Sequence, residues 1–255
     1  MATSFVSVGE RYDATRARML RMLEDLEQSG RVLATAYARP GRDVSPAQTA
    51  TAFPGMADEL AGVVIALGRP DTGVAAFWET DIVTAVVPPF PIAEDAASAG
   101  LDAGPLRRLL GRQLRVAVVM IRLGRYAVGV LDGETLVASK TDTRYVKSRH
   151  RAGGSSQRRF ERSRERLVRE LYDRVCEVAA DILRPFGGTV DHLLLGGEKH
   201  TVGGLLRRCE ALRRLKPITL ERRLDVRKPG QKALDGIHDD VWSSRVVVFN
   251  RAAGE

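Results

Sequence analysis

The residues best equipped for chemistry lie in one stretch, Lys140–Arg169, which reads KTDTRYVKSRHRAGGSSQRRFERSRERLVR. A charge-dense arm enters Gly153-Gly154, passes through Ser155-Ser156-Gln157 and continues into a run with helical periodicity. The glycines permit positive φ and close backbone approach to a partner. Ser155 or Ser156 suits the N-cap of that helix, which leaves backbone N–H groups near Gln157 pointing outward. Ten basic residues fall between Arg144 and Arg169: Arg144, Lys147, Arg149, Arg151, Arg158, Arg159, Arg162, Arg164, Arg166 and Arg169. Only Glu161 and Glu165 oppose them, so the segment carries +8. Cationic first turns oppose the helix dipole, and a bound polyanion is expected to offset that cost.

A plainer account is a flexible Gly-Ser loop followed by a solvated helix with i,i+4 pairs. It leaves unexplained why the whole charge excess gathers here: the rest of the chain balances at 30 basic against 30 acidic residues. A neutral globule with one intensely basic segment is the reading, and RNA phosphate is the polyanion it suits. Arginine supplies most of the charge, which favours forked phosphate contact over simple solubility.

Other candidates carry less. His150 sits among arginines, and such a loop histidine reads as a phosphate or base contact before it reads as a general base. His192, His200 and His238 have no triad spacing. Gly196–Gly204, GGEKHTVGG, lacks the terminal Gly-Lys-Ser/Thr of a phosphate loop and reads as a strand-to-helix turn. Cys176 and Cys209 have no Cys or His at ligand spacing. They are expected to be core thiols, with neither a disulfide framework nor a zinc site. No metal and no cofactor is expected.

The elements that must position the loop are legible around it. Leu114–Arg122, Tyr126–Leu131 and Glu134–Ser139 read as three strands, the second and third joined by Asp132-Gly133, a strong hairpin signal. A long helix over Ser156–Leu183 puts Phe160, Leu167, Leu171, Val175, Val178 and Ile182 on one face and stops at Pro185 and Gly187-Gly188. Val190–Leu195, Ile218–Val226 and Arg245–Phe249 read as strands, and Gly203–Leu215 and Lys232–Trp242 as helices. Upstream, Glu10–Gln28 reads as an amphipathic helix, Arg31–Tyr37 as a short strand and Ala38–Pro54 as a loop. Leu60–Leu67 is apolar without a decisive period. Gly73–Trp78 and Ile82–Val87 form a strand pair, Ala93–Gly104 a connector and Pro105–Gln113 a short helix. This alternation implies an α/β fold with a mixed sheet, mostly parallel after an antiparallel start, and flanking helices. Two regions are expected: 1–110, a smaller N-terminal α/β region, and 111–255, the domain carrying the loop.

Several classes are excluded. The longest apolar runs, such as Val116–Ile121, fall far short of the ~20 residues of a membrane span. The N-terminus lacks a signal-peptide apolar core, so a cytoplasmic location without membrane association is expected.

The run Arg151–Arg162, RAGGSSQRRFER, resembles the catalytic loop of eukaryotic and archaeal peptide-chain release factors, in which a basic Gly-Gly-Gln arm precedes a long helix. It is closer to the Vms-type release-factor-like family (VLRF), actinobacterial branch, whose Gly-Ser-x-Gln loop is matched by Gly154, Ser155, Ser156 and Gln157. Pro88-Pro89-Phe90-Pro91-Ile92, Tyr126–Gly133 and His192–Gly197 resemble landmarks of those factors. The similarity runs over roughly residues 73–250. Two serines separate the glycine pair from Gln157, and the first 70 residues look unlike a codon-reading domain.

The resemblance implies a release-factor catalytic-domain-like fold (RNase H/Rossmann-like). It also implies hydrolysis of the ester between nascent peptide and tRNA, on stalled ribosomes or large subunits, with peptidyl-tRNA as substrate. An ester is already activated, so catalysis needs a positioned water and donors aimed at the developing oxyanion. A glutamine at a glycine-rich helix entry offers a backbone N–H and a side-chain amide, neither titrating near pH 7. By resemblance, Gln157 is catalytic and Gly153, Gly154, Ser155 and Ser156 form its loop. Arg144, Lys147, Arg149, Arg151, Arg158, Arg159 and Arg162 bind RNA by phosphate contact, without reading sequence. A non-catalytic ribosome- or RNA-binding module, and a nuclease cutting near the tRNA CCA end, are the alternatives.

Overall fold

The computed structural model of the chain describes residues 7–41, 56–143 and 155–251, and for residues 7, 155–158 and 160 the backbone only. It divides into two units. One takes the chain through Arg112 and again from Trp242, and the other is the continuous segment Gln113–Val241.

The first unit is built on a six-stranded sheet in the order β1-β11-β4-β3-β2-β5. Its strands are β1 (Ser7–Ala14), β2 (Ala34–Ala38), β3 (Val74–Trp78), β4 (Ile82–Val87), β5 (Ala96–Ala99) and β11 (Ser244–Asn250). Every pairing is antiparallel. The helices are α1 (Arg16–Ser29), α2 (Met56–Ala66) and α3 (Gly104–Leu110). Met56, Leu60 and Val63 of α2 pack on Ala34, Ala36, Trp78, Val83 and Phe249 of the sheet. Glu59, on the buried side of α2, accepts from the Trp78 indole N–H at 2.9 Å and pairs with Arg251 at 3.0 Å. The Arg251 guanidinium also donates to the carbonyls of Glu79 and Thr80. This knot holds the end of β11 in the first unit, and Phe90 meets Trp242 edge-on at 4.8 Å in the same unit.

Three expectations change here. The helix expected over Glu10–Gln28 starts only at Arg16, after Thr15 accepts the Arg18 N–H as a cap. The residues before it pair with β11 as a strand, because a long-range ladder outweighs a helical period. The connector Ala93–Gly104 contains β5, recruited to the sheet edge beside β2. Arg245–Phe249 is a strand, but it inserts between β1 and β4 and does not continue the sheet of the second unit. The first unit therefore holds the six-stranded sheet, whereas the sequence implies the smaller region there. Leu60–Leu67 resolves as helix, and of the expected loop Ala38–Pro54 only the part to Gly41 lies within the described residues.

The second unit has five strands in the order β10-β9-β6-β7-β8. They are β6 (Arg115–Arg122), β7 (Arg125–Asp132), β8 (Thr135–Thr143), β9 (His192–Gly196) and β10 (Thr219–Leu224). β6, β7 and β8 form an antiparallel meander, and β9 and β10 add in parallel on the far side of β6. The sheet is thus evenly mixed, not mostly parallel, since β11 is spent elsewhere. The hairpin turn at Asp132-Gly133 is present, with Gly133 at φ 61°. Helices α4 (Ser155–Leu183), α5 (Lys199–Arg208) and α6 (Glu210–Arg214) pack on one face of the sheet, with α7 (Gln231–Asp235) and α8 (Ile237–Val241) following β10. Leu171, Val175, Val178 and Ala179 of α4 join Ala117, Val119, Tyr126, Val128, Leu193 and Leu195 of the sheet in this core.

The cysteines depart from expectation. Cys176 on α4 and Cys209 between α5 and α6 are joined as a disulfide, with Cα atoms 5.2 Å apart. They are 33 residues apart in sequence, and packing α5 and α6 beside α4 is what brings them together.

Candidate functional site

The site is organised by α4. It is 29 residues long, roughly 43 Å of helix, and among its described side chains those packed into the core begin at Val168, the side chain of Phe160 lying outside the described residues. Because α4 runs into the start of β9 through a short turn, its C-terminus lies at the N-terminal ends of the parallel strands. Its first turns therefore point toward the opposite end of the sheet, where β8 runs out at Thr143. Gln157 is the third residue of the helix and stands about 16 Å of helix axis ahead of Val168.

Ser155 and Ser156 lie inside the first turn, so neither is the N-cap that the sequence suggests. The amide N–H groups of Ser155, Ser156 and Gln157 belong to the set that a helix leaves without internal acceptors. Gly153, Gly154, Arg144, Lys147, Arg149 and Arg151, with His150, lie outside the described residues. Arg159 and Arg162 are exposed on the projecting part of α4.

Charge pairing along α4 changes with distance from the core. Toward the C-terminus, Arg166 pairs with Glu170 at 3.6 Å, Arg174 with Glu177 at 3.1 Å and Asp173 with Arg208 at 2.9 Å. Among the described residues, Arg159 and Arg162 on the projecting part form no ion pair, and neither does Arg169 farther along. Arginines at the projecting end are thus left available to an outside anion, as the opposed helix dipole suggests. Burial raises the Tyr172 phenol pKa, and the nearby Arg207 and Arg164 partly offset that rise.

Of the histidines, His192 opens β9, His200 is exposed in the first turn of α5, and His238 stands 3.8 Å from Asp239. Gly196-Gly197 forms the strand-to-helix turn expected of it. A Cβ on Gly197 would lie against the Ile121 carbonyl, and its φ is 119°, so only glycine lets this turn close on β6.

A family profile for the actinobacteria/chloroflexi VLRF1 release factor matches residues 114–247, just over half of the chain. The chain belongs to that family. The matched span begins with β6 and contains the meander, α4 and the parallel strands. Beyond its own family, this VLRF1-type chain is similar to peptide chain release factor subunit 1 of Archaeoglobus fulgidus. The two are 26% identical over 212 residues, covering 72% of this chain and 52% of that protein. The corresponding factor of Aeropyrum pernix is 27% identical over 135 residues, or 52% of this chain and 35% of that protein. The chain thus spans about half or less of the length of these relatives. A crystal structure of the archaeal translation termination factor aRF1 aligns over 90% of this chain and 73% of its own, at 17% identity and a TM-score of 0.39. No helix among the described residues is long and apolar enough to cross a membrane.

Sequence reasoning missed a second concentration of positive charge. From Lys199 to Lys232 the chain holds eleven basic residues against Glu210, Glu221 and Asp225, again a net +8. Balancing the chain outside Arg144–Arg169 as one sum conceals it, and a sliding charge window would have found it.

Proposed function

We propose that this chain is a peptidyl-tRNA hydrolase of release-factor type, cutting the ester between nascent peptide and tRNA on stalled ribosomes or large subunits. Its proposed location is the cytoplasm. The observation that carries this reading is the place of Gln157, in the first turn of a helix whose described side chains enter the core from Val168, eleven residues further on. Such a helix delivers one amide-bearing residue to a recessed reaction centre while its own fold stays behind.

In this reading Gln157 orients the attacking water and donates to the oxyanion that forms at the ester carbonyl. Neither of its donors titrates near neutrality, so its donor capacity does not depend on pH there. Gly153 and Gly154 let the loop approach the tRNA end, and Ser155 and Ser156 space the glycines from Gln157. Arg144, Lys147, Arg149, Arg151, Arg158, Arg159 and Arg162 hold tRNA and ribosomal RNA through phosphates, giving position without sequence preference.

The test is to incubate stalled ribosomal complexes with the wild type and with Gln157→Ala. Free peptide with an intact tRNA 3′ end is expected from the wild type, and a loss of about 100-fold from the variant, the scale of one oxyanion donor. Unchanged release by Gln157→Ala removes that residue from the chemistry. A shortened tRNA indicates phosphodiester cleavage instead, and tight RNA binding without any product indicates a binding module.

A further inference from the structure

The second basic concentration has a defined place in the fold. β6, β9 and β10 run parallel, and β8 runs in the same direction through the two antiparallel pairings that link it, by way of β7, to β6. The residues that follow these strands therefore emerge at one end of the sheet. In order across that end stand Arg227 and Lys228 after β10, Lys199 after β9, Arg122 and Arg125 at the β6–β7 turn, and Thr143 closing β8. Arg125, Lys199, Arg227 and Lys228 are exposed, and among the described residues their side chains form no ion pair.

The row is braced from beneath. The Arg122 guanidinium donates to the Arg227 carbonyl at 2.6 Å and to Glu198 at 3.2 Å, joining the segment after β10 to the turn after β9. Gly197 holds that same turn against the Ile121 carbonyl. Arg125 lies opposite Arg122 on one side and opposite Thr143 on the other. Three carboxylates share this end: Glu198, engaged by Arg122; Asp142, which accepts the Thr143 N–H; and Asp225.

We propose that Arg125, Lys199, Arg227 and Lys228 form a second RNA-backbone site, a phosphate track across the end of the sheet toward which the first turns of α4 point. Five strands about 4.8 Å apart span roughly 19 Å. With one charge per ~3.4 Å along a strand of duplex, that length accommodates on the order of five phosphates. The occupant is a nucleic-acid backbone and not an acidic peptide, because the cations form a single row about as long as a run of phosphates, with Leu123 in the β6–β7 turn the exposed large apolar side chain among them. The track reads no sequence; it orients the nucleic acid whose end α4 would reach. It rests on the RNA partner of the proposed function, but not on hydrolysis.

The test is equilibrium binding of a fluorescent RNA hairpin ending in single-stranded CCA, measured over a range of salt concentrations. The proteins compared are the wild type, the triple variant Arg125→Ala/Lys199→Ala/Lys228→Ala, and Arg159→Glu/Arg162→Glu. All the altered side chains are exposed, and thermal melting checks each fold. The triple variant is expected to bind at least 10-fold more weakly near 0.1 M salt. Its slope of log affinity against log salt should be shallower by about 2–3, one for each phosphate that no longer meets a cation. The lysine variant Arg125→Lys should keep most of the slope. Loss of binding in the α4 variant, with affinity and slope unchanged in the triple variant, overturns this site and leaves the proposed function standing. A wild type that binds no RNA overturns both. Binding of poly-glutamate that the triple variant abolishes, with RNA binding intact, assigns the row to an acidic protein and also overturns the proposal.

Discussion

Gly204 of α5 lies so close to Tyr172 of α4 that a Cβ on residue 204 would stand 2.5 Å from the phenol oxygen and 2.7 Å from two ring carbons. Tyr172 is only 9% exposed, so its ring has little room to swing aside. Gly204→Ala would gain about 1 kcal/mol of helix propensity, but inserting a methyl into packed surroundings costs about 1–3 kcal/mol. A net loss of stability is expected, read as a lower denaturation midpoint. Tyr172→Phe in the same background should recover part of it, because the phenol oxygen is the nearest atom met.

Reduction of the Cys176–Cys209 bond should destabilise the second unit. A cross-link closing a loop of this length is worth about 2–4 kcal/mol, chiefly through the unfolded state. Thermal melts with and without a thiol reductant should differ, and Cys176→Ser/Cys209→Ser should melt like the reduced wild type and ignore the reductant. Alkylation of the denatured, unreduced protein followed by mass measurement should find both thiols blocked.

Arg251→Ala should cost roughly 2–4 kcal/mol, because it strips the buried Glu59 carboxylate of its cation while the Trp78 N–H stays in place. Partial exposure of the arginine, 23% of its side chain, keeps the figure below that of a fully buried pair. Glu59→Gln combined with Arg251→Ala should be less harmful than Arg251→Ala alone. Chemical denaturation of the wild type and both variants decides the matter.

Acid should act on Asp132. A hydrogen bond from Arg115, then one from Gln113, holds its carboxyl below the ordinary aspartate range. A group whose pKa is depressed by folding stabilises the protein above its unfolded value, and that contribution fades as pH falls through the folded one. Asp132→Asn should therefore lower the urea midpoint at pH 7, with the gap to wild type closing as pH drops below about 4. A gap that stays constant from pH 7 to 3 would rule out the ion pair as its source.

Much of the second unit is legible in the sequence because its signals are local. Asp132-Gly133 between apolar runs specifies a hairpin, and a 3.6-residue stripe ending at Pro185 specifies a long helix. Gln157 stands out through its setting, a glycine pair and a basic arm beside that helix. What escapes depends on distant partners. Ser7–Ala14 is a strand only because β11 lies beside it, and Cys176 meets Cys209 only after α5 and α6 have packed on α4. The row at Arg125, Lys199, Arg227 and Lys228 is dispersed over more than 100 positions of sequence, and parallel strand order alone collects it.

The insertion of β11 between β1 and β4 bears on how the chain is made. Synthesis runs from the N-terminus, and β1, whose ladder is with β11 alone among the described strands, waits for its neighbour until Asn250 has been added. The segment Gln113–Val241 is continuous and has all its strands by Leu224, 26 residues before Asn250. The unit bearing Gln157 can therefore complete its sheet first during translation, and β11, the last of the described strands to be made, is the one that closes the other sheet.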